Sequence, residues 1–328
     1  PRVLITIVIV HEERRSKMQI SDNALNVLAA CEYRGIGKAW VNKNLRGGES
    51  VAQIVAMVSE KDGTATVPDF ERRRLKIRSE IELLGEVIDG VVGLGDEDFP
   101  EIQPGVKAAD RPIALFYRGD ISLIKNVSNN VAVIGLLTPS ERIETEERVV
   151  VRKLVAEGKC IVSGLALGCD TIGHREVLDC GGKTVAFLSS PLSEINPPSN
   201  RPLAEEIVEK GGLLVTEYFR KAFSKREFIG RYAERDRLQA MFAGAVLLAA
   251  SYSQKDVCKD SGSRFAMGKA AEYGVPRYVI YDEKRDGADP MFNLSREEVL
   301  KGAKVLDCES DCKIDLVKFC GSQLEFTM

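Results

Sequence analysis

Ser163-Gly164-Leu165-Ala166-Leu167-Gly168-Cys169-Asp170 carries the strongest local signal in the sequence. It follows the apolar run Cys160–Val162 and opens a helical pattern over Thr171–Cys180. Glycines at 164 and 168 permit positive φ and a close backbone approach. The start of the following helix supplies amide donors and a positive dipole end, which suits a phosphate. The spacing is neither a Walker A loop nor GxGxxG. A plainer reading has Asp170 capping the helix and the glycines turning the chain.

The same rhythm extends on both sides. Val131–Ile134 is a short apolar run ending at Gly135, and Thr145–Glu157 is a helix stopped by Gly158. Thr184–Leu188, Leu213–Thr216, Ala245–Ala250 and Arg277–Tyr281 read as further strands. Leu203–Lys210, Arg231–Ala243 and Arg264–Tyr273 read as the helices between them. Apolar strands alternating with amphipathic helices predict an α/β fold with a parallel sheet covered on both faces. Ligands of such sheets bind beyond the carboxyl ends of the strands. The loops after Ile134, Val162, Leu188, Thr216 and Ala250 are therefore where function is expected.

Two of those loops add candidates. Ser261-Gly262-Ser263 lies between a strand and a helix, where small hydroxyl residues suit phosphate oxygens and equally suit N-capping. Residues 219–237 hold Arg220, Lys221, Lys225, Arg226, Arg231, Arg235 and Arg237 against Glu227, Glu234 and Asp236. That is a local charge of +4 in a chain whose total is −3. Tyr218, Phe219, Phe223, Phe228 and Tyr232 are interleaved. Guanidinium groups beside aromatic rings suit single-stranded nucleic acid, with phosphates paired and bases stacked; the rings serve equally well as core. His174 fits a general base or a packing residue, one helical turn from Asp170. No GxSxG, HExxH or Cys–His pairing marks a catalytic set.

Composition sets the frame. At 44% hydrophobic and 29% charged residues the chain is a soluble globular type, and a net −3 excludes binding by bulk positive charge. Eight scattered cysteines read as reduced cytosolic thiols. Cys308, Cys312 and Cys320 lack zinc-type pairing, so no metal site is expected. Val3–Val10 is too short to span a bilayer and lacks the charged flank and cleavage site of a signal peptide. Residues 21–84 read as mostly helical, with Ser21 and Asp22 as N-cap types. Within them Gly35-Ile36-Gly37 resembles the turn of helix-hairpin-helix DNA-binding modules, or is a plain interhelical turn. Arg72, Arg73, Arg74, Lys76 and Arg78 form a basic run that reads as a solvated helix face before it reads as a phosphate contact.

Taken in order, the loops resemble the DprA/Smf family. Gly95-Asp96-Glu97-Asp98-Phe99-Pro100 is similar to its D-x-(Y/F)-P segment. Arg111–Asp120 is similar to its P-P-x-L-(F/Y)-x-x-G-(D/N) strand and turn. Ser163–Asp170 is close to S-G-L-A-x-G-I-D, with His174 at the family's histidine. Asn196-Pro197-Pro198-Ser199-Asn200 resembles Y-P-x-x-N, Glu234–Leu238 resembles x-R-N-R-I, and Ser261–Ser263 resembles S-G-S/T. The resemblance covers roughly residues 94–281.

It implies an extended Rossmann-like, doubly wound, mostly parallel sheet with a smaller helical N-terminal domain. The expected divisions are a helical domain over 1–84 (helix-hairpin-helix or SAM-like), an extended Rossmann domain over 85–308, and a short tail over 309–328 without a winged helix. The implied protein is cytoplasmic and non-enzymatic. It binds single-stranded DNA, forms a homodimer, and helps load a RecA-type recombinase in DNA uptake, with no metal or redox cofactor and no membrane partner. The expected DNA- or phosphate-binding residues are Ser163, Gly164, Gly168, Arg231, Arg235, Arg237, Ser261, Gly262 and Ser263. Asp170, His174, Asn200, Lys225 and Arg226 are additional candidates.

Three positions depart from the family pattern. Gly135-Leu136-Leu137 stands where the family has G-S-R, Asp236 replaces the asparagine of R-N-R, and the residues after 308 are not expected to form the winged helix of many members. The competing expectation is a nucleotide sensor or nucleotide-processing enzyme on the same scaffold, although the P-G-G-x-G-T-x-x-E loop of the related phosphoribohydrolases is missing. A third is an interaction protein that kept the fold and lost the ligand.

Overall fold

The structure is a computed structural model that describes residues 18–103, 105–257, 262–306 and 314. In chain order it begins with β1 (Gln19–Ile20) and the helices α1 (Asp22–Ala30), α2 (Lys38–Asn44), α3 (Val51–Ser59) and α4 (Val67–Glu82). Then come β2 (Gly90–Gly93), β3 (Ala114–Gly119), β4 (Asn130–Ile134), α5 (Glu141–Ala156), β5 (Cys160–Ser163) and α6 (Cys169–Asp179). They are followed by β6 (Thr184–Phe187), α7 (Arg201–Glu209), β7 (Leu213–Thr216), α8 (Lys225–Met241) and β8 (Ala245–Leu248). The last are α9 (Ser263–Tyr273), β9 (Arg277–Ile280), α10 (Glu283–Asp286), α11 (Asn293–Leu300) and β10 (Lys304–Leu306).

The chain divides into two compact units. The first comprises residues 1–102, 106–125 and 185–235; the second comprises 103–105, 126–184 and 236–328. In the second unit the strands run β5-β4-β8-β9-β10, and every pairing is parallel. In the first they run β1-β2-β3-β7-β6. There β3 is antiparallel to both β2 and β7, while β1–β2 and β6–β7 are parallel. Every residue of β2, β4, β5, β6, β7 and β8 is buried. A strand buried at consecutive positions is covered on both faces, as the apolar runs predict.

The helical expectation for 21–84 meets α1 to α4, and local chemistry sets their starts. The Ser21 hydroxyl accepts from the Ala24 amide at 2.9 Å. Ser50 and Gln53 form a capping box on α3. Thr66 caps α4, which has a proline in its first turn. These helices belong to the same unit as β2, and the close approaches leave no room for side chains. A Cβ on Gly93 would lie 2.4 Å from the Ala24 backbone, and one on Gly47 would lie 2.4 Å from Gly95 Cα.

The basic run on α4 is paired with carboxylates of α4 itself and of α1. Arg73 and Arg72 meet Asp69, and Arg74 meets Glu71 and Asp22. At the Gly-Ile-Gly turn, Lys38 is engaged by Glu234 at 2.7 Å and Glu217 at 3.6 Å. No helix among the described residues is long and apolar enough to cross a membrane. The expectations for Val3–Val10, for Ser261 and for the Cys308, Cys312 and Cys320 group fall outside the described residues, as does all but residue 314 of the tail.

Candidate nucleic-acid interface

In the second unit, β5 delivers the chain into the 164–168 loop and α6 carries it away. Asp170 sits inside α6, whose N-cap is Gly168. Its Oδ2 accepts from the Gly164 and Ala166 amides, each at 3.1 Å. Asp170 thus closes the loop and does not cap the helix, so two amides expected to meet a ligand are taken by protein. The Thr171 hydroxyl donates to Ala166 O at 2.6 Å, and the Cys169 amide donates to Leu136 O at 3.0 Å. Buried Leu165 holds φ +60°, a conformation that non-glycine residues rarely adopt. Among the described residues, the Leu167 and Gly168 amides carry no hydrogen bond. They are the donors this loop presents.

The serines serve as struts. Ser163 Oγ donates to Val133 O at 2.7 Å, and Ser263 Oγ donates to Gly135 O at 3.1 Å. Both side chains are buried. Gly262 lies against Asp236, where a Cβ would stand 2.4 Å from Oδ2. The carboxylate at the family's asparagine position therefore packs on the Gly262 turn. Leu136, in the place of the family's serine, is buried and holds the start of α6 through its carbonyl.

His174 is buried, with Nδ1 2.7 Å from Thr184 Oγ1. The single Thr184 hydroxyl proton goes to Ile161 O at 2.7 Å. Thr184 must then accept from His174, which fixes the proton on Nδ1. This hydrogen bond ties α6 to Thr184, so the structure gives His174 a packing and hydrogen-bonding place.

Sequence reading missed Glu147. It lies on the buried face of α5 with Ile143, Val150 and Leu154, and among the described residues neither of its oxygens has a hydrogen-bond partner of normal geometry. The Cys169 thiol faces it, and a Cβ on Gly173 would lie 3.4 Å from Oε1. Burial pushes the carboxyl well above the usual carboxylate range, and burial raises the Cys169 thiol in the same way. The signal was present, because a charged residue occupies a position of the apolar stripe.

The unfolded chain releases this proton near the ordinary glutamate value of about 4.3, whereas burial makes the folded protein release it at higher pH. The stability contribution is complete at lower pH. It falls as pH rises between the two values, by up to about 1.4 kcal/mol per unit. Glu147→Gln removes that slope. Urea unfolding at a series of pH values checks this, and parallel curves for the two proteins would refute it.

In the first unit, the loop after β6 and the N-terminal half of α8 enclose a cavity of about 250 Å³. Its lining includes Ser189, Ser190, Asn196, Lys221, Lys225 and Phe228. The expected arginines are placed differently from the sequence reading. Arg231 and Arg235 are 6% and 5% exposed, and Arg237, counted with the second unit, is 3% exposed. Arg231 donates to Arg220 O and to Glu227, and its guanidinium lies 4.0 Å from the Tyr218 ring centre. Arg235 donates to Phe187 O at 3.2 Å. Asn200 is buried where the chain enters α7.

The outward groups are Lys221, Lys225 and Arg226, beside Phe223, which is 86% exposed, and Phe228. Phe219 instead stacks on Phe116 at 5.1 Å. The aromatic segment thus divides into half-buried rings, such as Phe219, and surface rings. A count along the sequence could not separate them.

Buried parallel strands, crossover helices and a glycine loop at a strand's carboxyl end define a Rossmann-like α/β protein. A family model described as DNA recombination-mediator protein A matches residues 90–312, and the chain belongs to that family. The DNA processing protein DprA of Streptococcus pneumoniae is 30% identical over 203 residues, covering 62% of this chain and 66% of that protein. The X-ray structure of that pneumococcal protein superimposes with a TM-score of 0.63 at 22% identity, covering 90% of this chain and 94% of that one. A structure of DNA processing protein A from Helicobacter pylori gives a TM-score of 0.55 at 24% identity, covering 67% and 92%. These two likenesses establish the fold. The chain spans 37% and 66% of the lengths of the first two curated relatives it matches.

Proposed function

We propose that this chain binds single-stranded DNA as a recombination mediator, acting as a binding protein and not as an enzyme. One observation carries the reading. The segment between β7 and the middle of α8 turns Lys221, Lys225 and Arg226 outward beside the exposed rings of Phe223 and Phe228. Cations that track a backbone, interleaved with rings that stack bases, are the features of a single-strand groove. Family membership supports the reading, as does the Helicobacter pylori protein, whose structure is described by its single-stranded-DNA-binding mode.

On this proposal Arg231 and Arg235 brace the surface of the first unit from within, while Arg237, the Leu167 and Gly168 amides and the Gly262–Ser263 turn are the groups proposed on the second unit. A helical segment to residue 84, an extended Rossmann body over 85–308 and a short tail are the proposed divisions. Homodimerisation, a RecA-type recombinase partner and a cytoplasmic setting complete the reading, on the strength of family membership alone.

Binding of labelled single- and double-stranded oligonucleotides across a salt series tests it. Wild type should prefer the single strand and weaken steeply with salt. Lys225→Glu/Arg226→Glu should lose on the order of tenfold in affinity, and its log–log salt slope should be shallower by about 1.4, as expected for two lost phosphate contacts. Negligible binding by the wild type would overturn the proposal.

A further inference from the structure

Arg220 belongs to the outward basic segment, yet in this structure it is held by two carboxylates of the helical segment. Its Nε donates to Glu80 Oε2 at 2.6 Å, and its Nη2 donates to Glu32 Oε1 at 3.0 Å. Glu80 lies in the last turns of α4, and Glu32 lies just beyond α1. The arrangement places carboxylate oxygens around a guanidinium fork as a phosphate would. Arg220 is 36% exposed at its side chain, so water and ions reach the group. An ion pair at such a site contributes little net stability and is exchangeable.

A second set of contacts makes the exchange inexpensive. Glu32 also lies 3.7 Å from Arg73 Nη1, and Glu80 also lies 3.9 Å from Lys76 Nζ. If Arg220 leaves, neither carboxylate is stranded. The Arg220 backbone is held in place, because its carbonyl accepts from Arg231 Nη1 at 2.8 Å. The side chain has an anchored base, two removable partners, and neighbours ready to take those partners over.

We propose that Glu32 and Glu80 act as an internal phosphate mimic, holding Arg220 and yielding it to a phosphate of single-stranded DNA. Arg220 is then a further DNA-binding residue, and the helical segment is a competitive gate on it. The inference rests on the single-strand-binding reading above and assigns the helical segment a part in it. Competition also sharpens selectivity. A ligand that brings one phosphate must displace two carboxylates, whereas a strand already held at Lys225 and Arg226 delivers its next phosphate at high local concentration.

The test uses the full chain and labelled oligothymidylate across a salt series. Glu32→Gln/Glu80→Gln should bind about three- to tenfold more tightly at low salt. Its log–log slope should be steeper by about 0.7, as for one added phosphate contact. Arg220→Gln in that background should abolish the gain, a non-additivity that identifies the partner. Glu60→Gln/Glu82→Gln, which removes equal charge from exposed positions of the same segment, should leave the slope unchanged. Matching thermal unfolding midpoints confirm that all variants are folded. Equal or weaker binding by Glu32→Gln/Glu80→Gln, with wild type binding normally, overturns the gate alone. A gain that survives Arg220→Gln, or one that Glu60→Gln/Glu82→Gln reproduces, also overturns it. If no variant binds the strand, the single-strand reading falls and the gate falls with it.

Discussion

Gly168→Ala should cost about 2–5 kcal/mol of stability, combining backbone strain with overpacking. Gly168 has φ +69° and ψ −128°, a region that side chains strongly disfavour. The space is closed as well. A Cβ there would stand 2.2 Å from Leu136 O and 2.5 Å from the Leu137 carbonyl. Those atoms belong to the backbone loop after β4 and cannot swing aside as a side chain can. Gly181→Ala supplies the contrast, with φ +70° and no described residue within 4 Å of its Cβ. It should cost only about 1–2 kcal/mol, the ordinary price of a left-handed alanine. Urea denaturation of both variants decides the matter. Equal losses would mean that the contact with Leu136 and Leu137 relaxes without cost.

Asp170→Ala should cost about 3 kcal/mol, since two hydrogen bonds to a charged acceptor disappear together. The Gly164 and Ala166 amides lie inside a turn whose centre, Leu165, is buried at positive φ. Without an acceptor they are left desolvated, and the turn loses the group that holds its shape. Asp170→Asn retains an oxygen that can accept from both amides and should lose roughly a third as much. Chemical unfolding gives the energies. Hydrogen exchange at Gly164 and Ala166 gives the location, with protection lost in the alanine variant and largely kept in the asparagine one. Unchanged protection in Asp170→Ala would show that the loop closes without this side chain.

Much of the fold is legible in the sequence because the strands are strongly marked. The expected limits of Leu213–Thr216 match those observed, and the runs at Val131, Cys160, Thr184, Ala245 and Arg277 fall within about two residues. Helix starts are harder. α5 begins at Glu141, four residues before the expected Thr145, because Ser140 caps a first turn of charged residues that carries little apolar signal. α8 begins at Lys225 and not at Arg231 for the same reason: its first turns are exposed and basic. The antiparallel placement of β3 between β2 and β7 leaves no trace in periodicity, since a buried strand looks alike in either direction.

The site is legible as a set of loops and not as a set of contacts. Ser163 and Ser263 have the right chemistry for phosphate and the right positions along the chain, yet their hydroxyls donate to the backbone at Val133 and Gly135. Arg231 and Arg235 look like phosphate ligands in sequence, and the packing of α8 turns them inward. Composition reveals that a segment is basic. Only the helix's rotation about its own axis determines which of its cations meet solvent.

The close approaches at Gly93–Ala24 and Gly47–Gly95 bear on how such a chain can be inherited. They place the helical segment against β2 and against the turn that follows it, with no side chain between. A gene rearrangement that joined a foreign helical segment to this body would have to bring equally small residues to both meeting points, or replace Gly93 and Gly95 as well. The two parts look separable on a sequence diagram, but they are constrained to change as a pair.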